Sequence, residues 1–449
     1  MSRHAESLAA RGFQSLVSTV VDSVGIVRAK QVPVARADVH AGAGLGVSPV
    51  WAVFCVDDSI AFTPGFGVIG DWRMRADLDA VADLGDGLAW APAELFDQHG
   101  EPLPICSRGA LRRQQSAAEQ AGLELLCAIE IECTMFDETG TRLGGADPVN
   151  GPAGPAYGLR PLLAHQSFLA DLTTDLERAG LQVEALHAEY GPGQLELSLA
   201  PARPLRAVDD NVLARLVMAR AARRHGVQLS FSPMPVAGGA GCGAHLHLSA
   251  TADGQPLLSG GDGPHGLTPR GASMIAGVLN GLESAMGVFA GSAMSELRLV
   301  PHMWSGAFAC WGVENREAAL RLLTATPGNV YGANLEVKVI DPSANPYVAA
   351  AAVIGLALWG LEQQLALPAE TPSDPGAMSE DERATLGIRG LSVGLAATLD
   401  RLASSEQLPS ILGRDIVAAI LATRRHEVDL LAASTPAELA ERLRFTWTS

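Results

Sequence analysis

The chain has 449 residues, 48% of them hydrophobic, and a mean hydropathy of +0.18, so it can bury a large core and has length for roughly two or three domains. A net charge of −17 and a pI near 5.1 argue against nucleic acid or an anionic membrane as partner. The six cysteines form no CxxC pair, and the opening Met1-Ser2-Arg3-His4-Ala5-Glu6 lacks the apolar stretch of a signal peptide, so reduced, buried thiols in a cytoplasmic protein are expected.

Residues 14–34 are β-rich with a turn signal at Asp22-Ser23-Val24-Gly25, which predicts an opening hairpin. Val53 to Phe62 predicts another strand, and residues 92–107 a Gly/Pro-containing strand pair, so a small β-rich domain is expected over 1–107. From 108 the pattern changes. Helices over 109–121, 165–179, 206–225 and 268–289 alternate with strands over 124–137, 193–200 and 243–250, the signature of a mixed α/β sheet. After Glu336 helices dominate, over 344–366, 380–403 and 410–432, and the apolar run Val348 to Leu361 is too short to span a bilayer. Mobile stretches are expected at 139–160, 236–243, 251–265 and 368–379.

Four short segments in this frame alternate polar with apolar residues: Ala128-Ile129-Glu130-Ile131-Glu132, Gln194-Leu195-Glu196-Leu197-Ser198, Ala244-His245-Leu246-His247-Leu248-Ser249 and Asn334-Leu335-Glu336-Val337-Lys338-Val339. Residues two apart on a strand face the same side, so each segment offers one apolar and one polar face. A one-sided surface sheet would do the same. Surface faces, however, mix Lys, Thr and Ser with Glu. Here Glu130, Glu132, Glu189, Glu196 and Glu336 gather with His245 and His247, and such carboxylates would repel one another unless cations neutralised them. They read as metal ligands.

Together with Glu189-Tyr190-Gly191-Pro192-Gly193-Gln194-Leu195-Glu196, Gly243-Ala244-His245-Leu246-His247-Leu248-Ser249, Glu314-Asn315-Arg316 with Arg321, Asn345-Pro346-Tyr347, and Asp22-x-x-Gly25-x-x-Arg28-x-Lys30, these segments resemble, in order and spacing, the glutamine synthetase family. The resemblance implies an α+β fold: a small N-terminal β-grasp domain over 1–107 and a large glutamine synthetase-type catalytic domain over 108–449. It implies one Mg²⁺ or Mn²⁺ on Glu132, Glu189 and Glu196 and another on Glu130, His245 and Glu336. His247, Ser249 and Lys338 would sit at ATP, and Arg316 and Arg321 at its phosphates. Arg298, with backbone near Gly241, would hold glutamate, Lys338 lying beside it. A homo-oligomer of stacked hexameric rings, a dodecamer, with active sites between subunits, is also implied.

The departures bear on the amine. Where glutamine synthetases have a flap glutamate, the stretch Arg298-Leu299-Val300-Pro301-His302-Met303-Trp304 carries Trp304. Around Gly44-Leu45-Gly46-Val47-Ser48 no acid matches the family's ammonium-binding Asp-Gly-Ser-Ser loop. Ammonium needs an anionic, desolvated cage, whereas Trp304, Met303 and Leu45 suit an organic amine with an apolar body. Lys338, Asn334 and Ala240 replace an arginine, a phosphate-contacting arginine and an asparagine of the classical enzymes.

The expected activity is therefore ATP-dependent joining of glutamate's γ-carboxylate to an organic primary amine, alkyl or aryl, through a γ-glutamyl phosphate, with Arg298, Arg316 and Trp304 at the reacting end. Polyamines are disfavoured for want of an added acidic cluster in the flap. The alternatives are glutamine synthetase itself, using ammonia, and a non-catalytic ring-forming scaffold.

Overall fold

The structure, a computed structural model, describes residues 3–144, 154–329 and 331–448. Of the expected mobile stretch 139–160, residues 145–153 lie outside the described residues.

The opening hairpin forms as expected. Ser15–Val21 pairs antiparallel with Val27–Pro33, and Asp22 builds the turn: its Oδ1 accepts from Val24 N (3.0 Å) and Ile26 N (2.9 Å), its Oδ2 from Arg28 Nε (2.8 Å). Leu88–Phe96 runs parallel to Ser15–Val21 and antiparallel to Trp72–Ala76, which in turn pairs with Leu45–Val47. Ala82–Asp83 completes a mixed six-stranded sheet.

One expectation fails in this region: Val53 to Phe62 is no strand. A 3-10 turn over Pro49–Val53 leads into a tight reversal in which Asp57 Oδ1 takes Ser59 N and Oγ, Asp58 has φ 62°, and pairing is limited to a Phe54–Ile60 bridge. Asp and Asn favour such turns because their side chains bond the backbone two residues on. Gly44 to Ser48, where no acid matches the ammonium-binding loop, is mostly the strand Leu45–Val47, with Leu45 packed on the N-terminal sheet's own apolar cluster. The acids of this region lie instead in the reversal, at Asp57 and Asp58.

The expected strand over 124–137 proves to be two strands in two sheets. Glu124–Ile129 pairs with Leu246–Ala252 in a seven-stranded sheet that also holds Asn334–Val337, Ala318–Leu323 and Phe308–Val313. Ile131–Asp137 pairs with Gln194–Leu199 and Val227–Ser230 in a four-stranded sheet whose edge is Val183–Ala188. Glu130 is the single residue between them, its N–H donating to His245 O at 3.1 Å. The polar faces therefore do not share one sheet; they meet where two sheets join.

Helices Ser107–Gln120, Gln166–Arg178, Pro204–Arg224, Pro269–Phe289 and Pro346–Glu362 match the expected positions within a few residues, while the expected helices 380–403 and 410–432 are broken at Arg389–Gly390 and Gly413. Gly413 has φ 101°, a value that L side chains avoid. The helix Pro346–Glu362 is buried on nearly every side, so it carries no amphipathic stripe, and removing a fully buried side chain such as Ile354 would cost about 2–5 kcal/mol. Asn345 caps it, its Oδ1 accepting from Tyr347 N (3.0 Å) and Val348 N (3.3 Å), while Nδ2 donates to Val21 O and Asp22 O. The Asn-Pro-Tyr segment thus ties the opening hairpin to the helical layer. Among the described residues one helix, Pro269–Phe289, is long and apolar enough to cross a membrane; 67% of its most apolar window is buried inside the protein. All six cysteines are buried free thiols.

Candidate active site

The break at Glu130 opens a cavity of about 680 Å³ between the two sheets. Both sides of the break contribute, because alternation sends Ile129 and Ile131 into the core and Glu130 and Glu132 into the cavity. Glu196 faces Glu132 across the four-stranded sheet, and Glu336 faces His247 across the seven-stranded one. Glu189 lies just past the end of Val183–Ala188.

Side chains gather into three ligand-like groups: Glu130 with His247 and Glu336, Glu130 with Glu132 and His245, and His187 with Glu189 and Glu196. His245 Nδ1 lies 2.6 Å from Glu130 Oε2 and 3.3 Å from Glu336 Oε1, and its Nε2 lies 3.9 Å from Glu132 Oε1. All six side chains that the resemblance implied as metal ligands line this one cavity. His187 lines it too, with Nε2 3.5 Å from Glu196 Oε1.

The electrostatics follow from crowding. Burial and the charges of Glu130, Glu132 and Glu189 push the Glu196 carboxyl up to about 9. Burial also raises Glu132. For Glu130 burial acts the same way, but the charges and hydrogen bonds of His245 and His247 outweigh it and hold the carboxyl well below its usual range. Burial opposes ionisation of Glu336 too, yet Lys338 and His245 lower it on balance. Burial would lower His247, and the hydrogen bond and charge of Glu130 raise it instead.

Arg298 is buried at the cavity wall, donating to Val339 O (3.2 Å) and Lys338 O (3.0 Å), with Nη2 3.1 Å from His245 Nε2. Its approach requires glycine on the facing loop. A Cβ at Gly243 would stand 2.4 Å from His245 Nε2, and one at Gly241 2.8 Å from Arg298 Cγ. That loop also fixes Glu132, whose Oε2 accepts from Gly243 N (2.9 Å) and from Gln194 Nε2 (3.1 Å); Gln194 Nε2 donates in turn to Gly241 O (2.7 Å). Gln194 was absent from the sequence-derived site, although its place in the Pro-Gly-Gln-Leu-Glu segment was visible.

Arg316 and Arg321 line the cavity as expected, and Arg321 Nη1 donates to Glu336 Oε2 (3.2 Å). Lys338 is buried with its Nζ 3.0 Å from Glu336 Oε1. His247 bonds Glu130 Oε1 (3.1 Å) through Nε2 and Asn334 Oδ1 (2.8 Å) through Nδ1. Ser249, two residues further along that strand, does not line the cavity.

At the mouth stand His302, Met303 and Trp304, the last 52% exposed, with His302 and Trp304 at φ 64° and 53°. Side chains rarely adopt this conformation without support. It comes from Glu317, a buried acid missed in the sequence reading, whose Oε1 accepts Trp304 N at 2.8 Å. Tyr157, hydrogen-bonded to Glu189, and Tyr190 also line the cavity and were not singled out as site residues.

Residues 104–441 match the family described as glutamine synthetase, catalytic domain. Over 426 residues, 94% of this chain and 91% of the relative, the sequence is 39% identical to gamma-glutamylpolyamine synthetase GlnA3 of Streptomyces coelicolor. It is 28% identical over 370 residues, 80% of this chain and 81% of the relative, to glutamine synthetase of Clostridium saccharobutylicum. A solved structure described as a novel glutamine synthase homolog superposes with a TM-score of 0.86 at 30% identity, covering 97% of this chain and 99% of that one. A match that spans both the N-terminal sheet and the cavity between the two inner sheets leaves one assignment: the chain is a ligase and belongs to the glutamine synthetase family.

Proposed function

We propose that this protein joins the γ-carboxylate of glutamate to an organic primary amine in an ATP-dependent reaction through a γ-glutamyl phosphate. The observation that carries this reading is Trp304, a large aromatic in place of the family's flap glutamate, opening onto the same cavity as an intact set of five carboxylates and His245. A carboxylate is a poor electrophile, so amide formation needs its oxygen phosphorylated before the amine attacks.

The residues fit divalent cations. Glu132, Glu189 and Glu196 would hold one Mg²⁺ or Mn²⁺, and Glu130, His245 and Glu336 the other, the oxygen-rich donor set suited to hard cations. A bound cation would offset the burial and carboxylate crowding that push Glu196 up, and would supply electrostatic stabilisation to the phosphates. Arg316 and Arg321 clamp phosphate oxygens, His247 and Lys338 flank the nucleotide, and Arg298 with the Gly241 backbone positions glutamate. Trp304 covers the amine end and excludes water. Residues 1–107 form a separate N-terminal domain, and the chain assembles as stacked hexameric rings in this reading.

The case against polyamines changes with the fold. It rested on the lack of acids in the flap sequence, yet Glu317 reaches the Trp304 backbone and Asp374 Oδ2 comes within 3.7 Å of His302 Nδ1. Acids distant in sequence thus do meet the flap, and the name of the 39% identical relative points the same way. The acidic reversal at Asp57 and Asp58 favours a second reading, ammonia use, because acids that are missing around Gly44 to Ser48 are present there in the same N-terminal region.

The test is phosphate release with ATP, Mg²⁺ or Mn²⁺ and glutamate against ammonium, ethylamine, isopropylamine, ethanolamine, putrescine and aniline, with mass detection of the product. Turnover on an organic amine exceeding that on ammonium is expected. Preference for ammonium would return the protein to glutamine synthesis.

A further inference from the structure

Two large aromatic side chains face each other at the cavity mouth and remain largely open to water. Tyr190 is 60% exposed and Trp304 52%, with ring centroids 6.5 Å apart and planes inclined by 55°. Exposed indole and phenol rings in a cavity wall are available for a ligand, and their backbones are held: Trp304 by Glu317, and Tyr190 by its N–H on the Glu189 carboxylate. Both rings are thus presented from anchored backbone positions.

The charge around this slot differs from that further in. Of the four cations that line the cavity, three are engaged further in, Arg298 with backbone carbonyls and Arg321 and Lys338 with Glu336, while Arg316 is the exposed one, assigned above to phosphate. Asp374, beside His302 on the flap side, keeps 43% of its side chain exposed. Aromatic faces carry negative quadrupole density and attract cations within about 6 Å of the ring centroid. A carboxylate nearby adds to the same field. A second positive charge on the amine would thus find partners here that a methyl group would not.

We infer that Tyr190 and Trp304 form an aromatic slot for the non-reacting ammonium of a diamine or polyamine, with Asp374 as its outer anion; this rests on the organic-amine ligase reading. The reacting amine points inward toward the γ-carboxylate, and the distal ammonium lies between the rings. Tyr190 then sets specificity without touching the reacting atoms.

Putrescine and pentylamine separate this proposal from a purely apolar slot, since they differ only by an ammonium in place of a terminal methyl. The measurement is kcat and KM for both amines with wild type, Tyr190→Leu and Tyr190→Phe. Leucine keeps apolar bulk and loses the ring face; phenylalanine keeps the ring. In wild type putrescine has the lower KM. Tyr190→Leu raises the putrescine KM on the order of 5–30-fold, moves the pentylamine KM by less than about twofold and leaves kcat on both nearly unchanged, while Tyr190→Phe retains the preference. Equal effects on the two amines, or pentylamine preferred by wild type, overturns the slot but leaves the ligase reading standing. No turnover of either amine, with ammonium still used, overturns the organic-amine reading and the slot with it.

Discussion

At the inner end of the cavity Glu132, His245 and Glu336 stand on or beside strands and are at most 8% exposed, and each is held by several side chains or by backbone. At the mouth Trp304 and Tyr190 stand on loops, more than half exposed, and the left-handed flap backbone is held by a few contacts, Glu317 on Trp304 N, Asp374 beside His302 and Ser305 Oγ on Val300 O. The inner end is determined many times over. The mouth is determined by few contacts. Chemistry that needs fixed charges therefore sits where packing cannot relax, and recognition of a variable amine sits where one contact can be exchanged without disturbing the core.

Substitutions at the two ends test this contrast. The largest effect is expected from Glu132→Ala, which removes an inner carboxylate that also receives Gly243 N and Gln194 Nε2. Turnover falls about a thousandfold or more, while size-exclusion elution stays that of wild type. Activity within tenfold of wild type would detach the inner cluster from catalysis.

Next comes thermal unfolding with and without Mn²⁺. A cation bound only by the native state at a hundredfold excess over its Kd stabilises by about 2.7 kcal/mol. Glu196→Gln removes a carboxylate crowded by Glu130, Glu132 and Glu189. The variant is expected to be at least as stable as wild type in EDTA and to gain less from Mn²⁺. An equal Mn²⁺ gain in both proteins would place the ion elsewhere.

At the mouth, Trp304→Ala is expected to shift the ranking of amines by about tenfold, with the apparent KM for ATP within about twofold of wild type. An unchanged amine profile would reduce Trp304 to a cover. The smallest effect belongs to Glu317→Ala, which frees Trp304 N–H at a cost of about 1 kcal/mol for one hydrogen bond. The amine KM rises a few-fold and the ATP KM stays put; a parallel rise in both would show that flap and inner end are one unit.

The inner site was largely legible in the sequence because its residues obey a local rule. Glu130, Glu132, His245 and Glu336 each sit one step from an apolar residue that must be buried, so alternation alone points them into a common space. What alternation does not reveal is that Glu130 separates two sheets: a continuous β-rich run from 124 to 137, with no Gly or Pro in it, gives no sign of a change of partners, which only the distant strands Leu246–Ala252 and Gln194–Leu199 decide. Glu317 and Asp374 were invisible for another reason. They reach the flap from 13 and 72 residues beyond Trp304 and His302, respectively, and nothing local marks either residue. The reversal at Asp57 was misread because Val53, Val56 and Ile60 look like a strand until the turn-forming preference of consecutive aspartates is weighed against them.

The single-residue break at Glu130 has a mechanical meaning. Because ligand side chains come from both sheets, an ion gripping Glu130 and Glu132 with His245, the group that joins the start of one sheet's strand to the residue before Leu246–Ala252 of the other, would act as a staple across the join. Separation of the sheets during unfolding would have to release that grip. Amide exchange in Ile131–Asp137 and in Leu246–Ala252 should then slow together on loading with Mn²⁺, the two sheets answering as one body to a change at the residue between them.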